Sequence, residues 1–448
     1  MHSVSEDDFA LRFREIHPPL APQAALEEAN RCLYCFDAPC AAACPTHIDV
    51  PRFIKKIATG NLRGSALAIL EANILGSSCA RVCPVDVLCE GACVLVRSHQ
   101  KPIEIGRLQR HAMDHFYATG ASLNFQPGAS KAPRIACVGA GPASLACAAE
   151  LRRAGFGVTI FDSRPLGGGL NTYGVAEYKL TPSDSLREVE LIRSLGAEFR
   201  FGTSVGDDVS LDELEKDYAA IFLAVGLGPT EALGIPGQDL EGVVDALTFI
   251  ADYKTERTIR VGRKVVVIGG GNTAIDAANA ARRLGAEEVQ LLYRRGEREM
   301  PAFLFEYEHS KLEGVRFRFQ TQPVAICAAA GSSIAVGAVE CVRMELGAPD
   351  ASGRRRPEPV AGSNFKIECD MAIAAIGQSR LLQFLEKTRG VERKAGNVVT
   401  DAETGRTANP RYYAGGDCVN GGREVVDAVA AGKRAGAAMV RWLEASHG

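Results

Sequence analysis

Two stretches of this chain repeat one order of pieces, and that order admits few folds. The first begins with the apolar run Ile135-Ala-Cys-Val138 and continues with Gly139-Ala-Gly141-Pro142-Ala143-Ser144. An Ala/Leu-rich segment then runs to Ala154, and Val158-Thr-Ile-Phe161 follows, closed by Asp162. The second has Lys264-Val-Val-Val-Ile268, then Gly269-Gly-Gly271-Asn272-Thr273-Ala274, a helical stretch over 275–284, and Val289-Gln-Leu-Leu-Tyr293. Strand, glycine turn, helix and strand in that order predict a parallel α/β unit that cradles a dinucleotide. Gly139 and Gly269 permit the tight turn. Gly141 and Gly271 let the backbone approach a pyrophosphate at the helix N-terminus. Ser144 and Ala274 are small enough for the helix to lie close to its strand.

The ends of the second strands differ. Asp162 can accept a hydrogen bond from a ribose hydroxyl, whereas the second unit ends in Arg294-Arg295, with Arg298 close behind. Guanidinium groups suit a 2′-phosphate, so the second unit is expected to take NADPH, with NADH the alternative. Near the C-terminus Tyr412-Tyr-Ala-Gly415-Gly416-Asp417 ends another strand, and an amphipathic helix follows over 425–442. In flavoprotein reductases such a turn places an aspartate by the flavin's ribityl and phosphate region, which assigns FAD to the first unit. Gly168 and Leu170, and Gly226 at the end of Phe222-Leu-Ala-Val-Gly226, join the candidate flavin residues. The runs at 222–226 and 371–377 look like strands where the chain crosses between two domains, one inserted into the other.

Eight of the fourteen cysteines fall between Cys32 and Cys93. They form two sets, Cys32-x2-Cys35-x4-Cys40-x3-Cys44-Pro45 and Cys79-x3-Cys83-Pro84-x4-Cys89-x3-Cys93. Dense thiolates are soft metal ligands, and a proline directly after a cysteine is typical of ferredoxin-type motifs, so two [4Fe–4S] clusters are expected. Structural zinc favours paired Cys-x2-Cys knuckles, and only Cys32 and Cys35 have that spacing. A disulfide framework needs an oxidising compartment, yet the first residues are acidic and polar with no apolar signal segment. Cys137, Cys147, Cys327, Cys341, Cys369 and Cys418 are scattered singly and read as small core thiols. No histidine pair has ligand spacing, and Arg354-Arg-Arg-Pro357 reads as a solvated turn.

The chain's 448 residues suffice for about three domains. The expected division is a helical iron–sulfur domain over 1–127, a discontinuous FAD domain over 128–253 and 374–448, and an NAD(P)H domain over 254–373. The linker at 126–133 is rich in Pro, Gly and Ser. A net charge of −3 gives no support for nucleic-acid binding. No uncharged apolar run approaches the roughly 18–20 residues of a membrane helix. A cytoplasmic location is therefore expected.

These motifs resemble those of the glutamate synthase small-subunit-like diaphorases, and among them the NAD(P)H-accepting subunit of bacterial dihydropyrimidine dehydrogenase. The resemblance is carried by Arg31-Cys-Leu-Tyr-Cys35 through Pro45, Cys79-Ala-Arg-Val-Cys-Pro84, Ile105-Gly-Arg-Leu-Gln109, the Gly139 turn and Gly415-Gly-Asp417. It implies a crossed set of cluster ligands. One cluster would take Cys32, Cys35, Cys40 and Gln109, and the other Cys44, Cys83, Cys89 and Cys93, with Cys79 a bystander. It also implies that hydride passes from the nicotinamide to FAD by stacking, with no catalytic acid or base. Electrons would then leave singly through the clusters to an FMN/iron–sulfur catalytic subunit in a hetero-oligomer. Service to a glutamate synthase large subunit, a free-standing NAD(P)H:ferredoxin or polysulfide reductase, and a cluster-binding assembly factor are the alternatives.

Overall fold

The computed structural model describes residues 6–125, 131–257, 261–349 and 355–447. The chain forms two compact units. The larger comprises Ile16–Thr172, Lys179–Leu227 and Arg380–Gly448, and the smaller Met1–Glu15, Tyr173–Tyr178 and Gly228–Ser379.

The N-terminal part of the larger unit is helical, as its sequence predicts. Helix Pro22–Asn30 starts on a proline, whose fixed φ suits a first helical position. Asp49 accepts the Arg52 N–H at 3.1 Å and caps helix Val50–Ala58, whose Phe53, Ile54 and Ile57 are buried. Asn61 does the same for helix Leu62–Ala72 through the Gly64 N–H at 2.9 Å. Gly64 therefore lies inside a helix and does not break it. A side chain there would meet the Asn61 amide at 2.6 Å, so its absence makes room for the cap. Helices Gly76–Val82 and Ile105–Ala118 complete the layer.

The first parallel sheet contains β1 (Lys131–Val138), β2 (Phe156–Asp162), β3 (Glu198–Phe201) and β4 (Ala220–Leu223). In the smaller unit follow β5 (Val243–Asp245), β6 (Lys264–Ile268), β7 (Glu288–Leu292) and β8 (Arg316–Arg318). Next come β9 (Thr321–Ala328), β10 (Val336–Pro349), β11 (Arg355–Pro359), β12 (Phe365–Glu368) and β13 (Met371–Ala374). Back in the larger unit are the short hairpin β14 (Arg393–Lys394) and β15 (Asn397–Val398), and then β16 (Tyr412–Ala414).

The larger unit's sheet runs β16-β4-β1-β2-β3 and the smaller unit's β5-β13-β6-β7-β8, all parallel. Runs such as Ala220-Ile-Phe-Leu223 and Val265-Val-Val-Ile268 are wholly buried, as parallel strands covered on both faces require. Helix Val425–His447 packs on helix Pro142–Arg153 almost backbone to backbone. A Cβ on Gly432 would lie 1.9 Å from the Ala143 carbonyl oxygen. One apolar core runs from Phe53 and Leu108 of the helical layer to Ile135, Ile160 and Phe222 of the sheet.

The fold class is as expected: a helical N-terminal region, then two Rossmann-like sheets with the second inserted in the first. The boundaries differ. The expected cut at 253/254 falls inside helix Ala246–Thr255, and β5 pairs with β13, so the chain leaves the first sheet after Leu227. The cut at 373/374 would sever β13, and the return comes after Ser379. Helix Glu6–Arg12 belongs with the smaller unit and not with the helical layer. Phe13 stacks on Tyr253 at 5.0 Å, and Arg283 donates to the Arg12 and Arg14 carbonyls. The expected turn at 354–357 is strand from Arg355 onward, paired with β10. Of the 126–133 linker, residues 126–130 lie outside the described residues and the rest begins β1.

Candidate cofactor sites

The eight N-terminal cysteines border two hollows in the larger unit. Cys32, Cys35, Cys40 and Cys93 border the first, with Leu33, Ile54 and Leu95 among its apolar walls. Cys44, Cys79, Cys83, Cys89 and Gln109 border the second. The walls of the hollows group these residues differently from the expected partition in two places. Cys93 joins the first three cysteines, and Gln109 joins Cys44, Cys83 and Cys89. Each hollow thus draws wall residues from both cysteine sets, with Cys93, from the far end of the second set, on the wall of the first. Cys79 stands at the wall of the second hollow, and its carbonyl accepts the Cys83 N–H at 3.1 Å. Among the described residues no three His, Cys, Asp or Glu side chains gather as ligands of one metal ion.

Cys32, Cys40, Cys83 and Cys89 are held against ionisation. Burial pushes Cys40 up to about 11, with Cys32 and Cys93 adding repulsion, and burial likewise raises Cys32, with repulsion from Cys35 and Cys93. A side-chain hydrogen bond with Cys79 raises Cys83, followed by burial and by Cys89 and Cys44. Burial raises Cys89 as well. Thiols clustered round a hollow, four of them costly to ionise alone, fit an iron–sulfur guest whose charge would displace their protons. Gln109, itself buried, donates its Nε2 to the Gly76 carbonyl at 2.7 Å. That leaves its carbonyl oxygen as the atom it can offer the hollow. The same turn is braced by Glu188, which accepts the Ser77 and Ser78 N–H groups at 2.8 and 3.0 Å. Burial raises the Glu188 carboxyl to about 7 against those hydrogen bonds.

The two glycine turns are built alike. Gly139 has φ 93°, and a Cβ there would lie 2.4 Å from the Ala224 carbonyl oxygen. Gly269 has φ 147°, with the Ala375 oxygen at 2.2 Å. By contrast a Cβ on Gly141 would meet nothing nearer than Gly169 Cα at 4.0 Å, and one on Gly271 nothing within 4 Å. These second glycines are the N-caps of helices Pro142–Arg153 and Asn272–Leu284, and neither helix has a side-chain cap. Both helices thus present uncapped N–H groups beside open space, the arrangement that receives a pyrophosphate. Ala143, Ser144 and Ala274 are buried, while Pro142, Asn272 and Thr273 are half-buried in the first turns. Asn272 Oδ1 accepts the Phe303 N–H at 3.0 Å.

Around the first turn, Gly168 donates to the Ala140 carbonyl at 2.8 Å, and a Cβ on Gly169 would lie 2.9 Å from Gly141 Cα. The loop carrying Gly168 and Leu170 thus lies across the turn. Asp162 is engaged by backbone: it accepts the Ala140 N–H at 2.7 Å and the Arg164 N–H at 2.8 Å. Asp417, raised by burial, accepts the Arg423 N–H at 3.2 Å, and Gly416 stands against Ala143. Gly226 follows β4, with nothing near where its Cβ would be. In the second unit Arg294 and Arg298 are exposed and make no hydrogen bond or ion pair among the described residues. Arg295 donates to the Arg355 carbonyl at 3.3 Å.

Residues 10–121 match the family profile described as dihydropyrimidine dehydrogenase domain II, 4Fe-4S cluster, and residues 133–432 that of pyridine nucleotide-disulphide oxidoreductase. The chain is 36% identical to the glutamate synthase [NADPH] small chain of Escherichia coli K12, over 97% of this chain and 94% of that one. The chain belongs to the glutamate synthase small-chain-like diaphorase family. It is also 38% identical to the NADPH-Fe(3+) oxidoreductase subunit beta of Geobacter sulfurreducens, covering 91% of this chain and 64% of that relative. Among solved structures, Mycobacterium tuberculosis FprA in complex with NADPH shares the fold at TM-score 0.58 and 22% identity, over 70% of this chain and 86% of FprA. As a member of this family the chain is an oxidoreductase with an iron–sulfur domain and a domain for FAD and a pyridine nucleotide. Among the described residues no helix is long and apolar enough to cross a membrane.

Several residues of this diaphorase site escape sequence reasoning. The Ala224 and Ala375 carbonyls that close the turns come from strands far along the chain. Val426, which borders the second hollow, comes from the likewise distant helix Val425–His447. In the smaller unit a buried network joins Tyr178, Asp276, Asn279 and Ser310, with the Tyr178 hydroxyl 2.9 Å from Asp276. The partners that satisfy Asp276 are visible only in three dimensions.

Proposed function

We propose that this chain is an electron-input subunit. It takes hydride from NADPH and delivers single electrons, through two iron–sulfur clusters in its N-terminal hollows, to a partner subunit. The carrying observation is the conjunction in one chain of two uncapped glycine turns and two cysteine-lined hollows. When bound, FAD accepts hydride and releases electrons one at a time, and iron–sulfur clusters carry single electrons. The chain's own part is to bind and orient. The Gly139–Gly141 turn and helix Pro142–Arg153 would hold the FAD pyrophosphate, with Asp417 near its ribityl chain. The Gly269–Gly271 turn would hold that of NADPH, with Arg294, Arg295 and Arg298 reading the 2′-phosphate. Cys32, Cys35, Cys40 and Cys93 would ligate one cluster, and Cys44, Cys83, Cys89 and Gln109 the other. A cytoplasmic setting suits such thiols.

For the partner, an FMN/iron–sulfur dihydropyrimidine dehydrogenase catalytic subunit is supported by Gln109 and by the match of residues 10–121. A glutamate synthase large subunit is supported by near full-length similarity to the small chain. The test is anaerobic purification followed by FAD, iron and acid-labile sulfide analysis, with NADPH-dependent dye reduction. The expected outcome is one FAD and about eight irons, brisk dye reduction, and no turnover of uracil or glutamine by this chain alone. Zinc without labile sulfide, or substrate turnover without a partner, would overturn the reading. Cys93→Ser should lose the same cluster signal as Cys32→Ser, and Gln109→Ala should perturb the signal that Cys83→Ser loses; the opposite pairing would restore the partition that the resemblance implies.

A further inference from the structure

The two hollows are not equivalent in where they lie. The Gln109 hollow is bordered by Val426, in the first turn of the helix that follows the Gly416-Asp417 turn. The Cys32 hollow has no residue from that helix on its wall. The Cys32 hollow is therefore one step farther from the flavin motif. Its own loop is the most apolar exposed piece of the helical layer. Leu33 is 63% exposed, and Phe36, next to Cys35, is fully exposed at 101%. A solvated phenylalanine beside a pair of cofactor ligands has no packing role within this chain, and exposed apolar groups at a functional edge mark contact with another molecule.

The charges around this loop lean positive. Lys55 sits over the Tyr34 ring at 4.6 Å, from the helix that also lends Ile54 to the wall. Arg97 ends the short helix whose Val94 and Leu95 form another part of that wall. Among the described residues neither cation has a carboxylate partner, and Asp37 is the one exposed acid in the loop.

We propose that the loop at residues 33–37, rimmed by Lys55 and Arg97, is the landing surface for a one-electron carrier protein with an acidic rim. That carrier would collect electrons at the Cys32 hollow. The proposal rests on the electron-input reading and names the partner chemistry of its exit. Each NADPH gives NADP⁺, a proton and two electrons, and each electron reduces one oxidised carrier. An apolar centre supplies contact area, and the cationic rim steers the encounter.

The experiment uses the holoprotein with NADPH and a small acidic [2Fe–2S] ferredoxin as probe, beside an artificial dye. Phe36→Glu and, separately, Lys55→Glu/Arg97→Glu should raise KM for ferredoxin at least about tenfold. Iron content and dye reduction should stay at wild-type values. Raising salt should weaken wild-type ferredoxin reduction more than that of the Lys55→Glu/Arg97→Glu variant. Ferredoxin kinetics indifferent to both variants would overturn the proposal, as would a wild type that reduces dye but not ferredoxin. A wild-type dimer made monomeric by Phe36→Glu would assign the loop to a second copy of this chain instead. Absent iron or absent NADPH-dependent dye reduction in the wild type would sink the electron-input reading itself, and this proposal with it.

Discussion

The two glycine turns of this chain solve one backbone problem identically and then part company. In each, the first glycine faces a carbonyl oxygen, Ala224 or Ala375, too near for any side chain, and the second faces open space. In each, the helix that follows starts without a side-chain cap. The difference begins where the second strand ends. Asp162 folds back onto the first turn and binds its Ala140 N–H. At the matching place stands Tyr293, whose ring lies where a Cβ of Gly270 would meet it at 2.5 Å, and whose hydroxyl donates to the Glu299 carbonyl at 2.8 Å. The cations Arg294, Arg295 and Arg298 then follow. Holding a pyrophosphate is thus common to the two units. What tells one dinucleotide from another lies after the strand.

The strongest way to break that parallel is at the first glycines. Gly139→Ala and Gly269→Ala each place a methyl group against a backbone oxygen, at 2.4 and 2.2 Å, with positive φ besides. Left-handed strain costs about 1–3 kcal/mol, and overpacking about 1–3 kcal/mol more. Both variants should lose several degrees or more of Tm, or fail to accumulate. A Gly269→Ala protein of wild-type Tm would show that the carbonyl contact is not obligatory.

The second glycines should behave oppositely. With no atom nearer than 4.0 Å, an added methyl fits the ligand-free protein and occupies only the space a pyrophosphate needs. Gly271→Ala should keep its Tm and its FAD while its KM for NADPH rises tenfold or more, since a charge-assisted N–H to phosphate contact is worth about 1.5–3 kcal/mol. Gly141→Ala should keep the fold and release FAD. Equal loss of both cofactors in either variant would mean that the turns do not act separately.

This division also explains how much could be read before the fold was known. Apolar runs of four or five residues flanked by glycines gave β1, β2, β6 and β7 because buried parallel strands leave a continuous signal. The three-residue β5 left none, so the domain boundary was misplaced into helix Ala246–Thr255. Residues 6–12 looked like part of a helical layer, and only the stacking of Phe13 on Tyr253 shows where they belong. Cysteine spacing identified the eight thiols, but spacing does not encode which wall of a hollow a residue reaches. The resemblance implies Gln109 with the first three cysteines and Cys93 with the second set, and the walls of the hollows group the two the other way round. Arg355 onward formed a strand because β10 extends far enough to pair with it, a partner that local sequence cannot announce.

The strand ends sharpen the comparison next. Exposed and without carboxylate partners among the described residues, Arg294 and Arg298 are cations kept ready for an anion. Replacing Arg294→Ala/Arg295→Ala should lower the NADPH-over-NADH ratio of kcat/KM by about ten- to a hundredfold, equivalent to about 1.5–3 kcal/mol. FAD content should be unchanged. A wild type that prefers NADH, or a ratio untouched by the double substitution, would remove the arginines from nucleotide recognition.

The smallest effect is expected at the opposite strand end. Asp162 accepts two backbone N–H groups, one on each carboxylate oxygen, at 2.7 and 2.8 Å. Asp162→Asn keeps one acceptor and turns an NH₂ toward the other donor, so one hydrogen bond is lost and two donors face each other. The cost should be about 1–2 kcal/mol, within the range for an unsatisfied polar group, lowering Tm by a few degrees. Because Asp162 braces the turn in the protein itself, FAD should be held more loosely while the NADPH-over-NADH ratio stays at its wild-type value. Loosened FAD with an unchanged Tm would indicate that the carboxylate works chiefly on the ribose. A changed nucleotide ratio would place Asp162 in the wrong unit's chemistry and break the separation between the two turns.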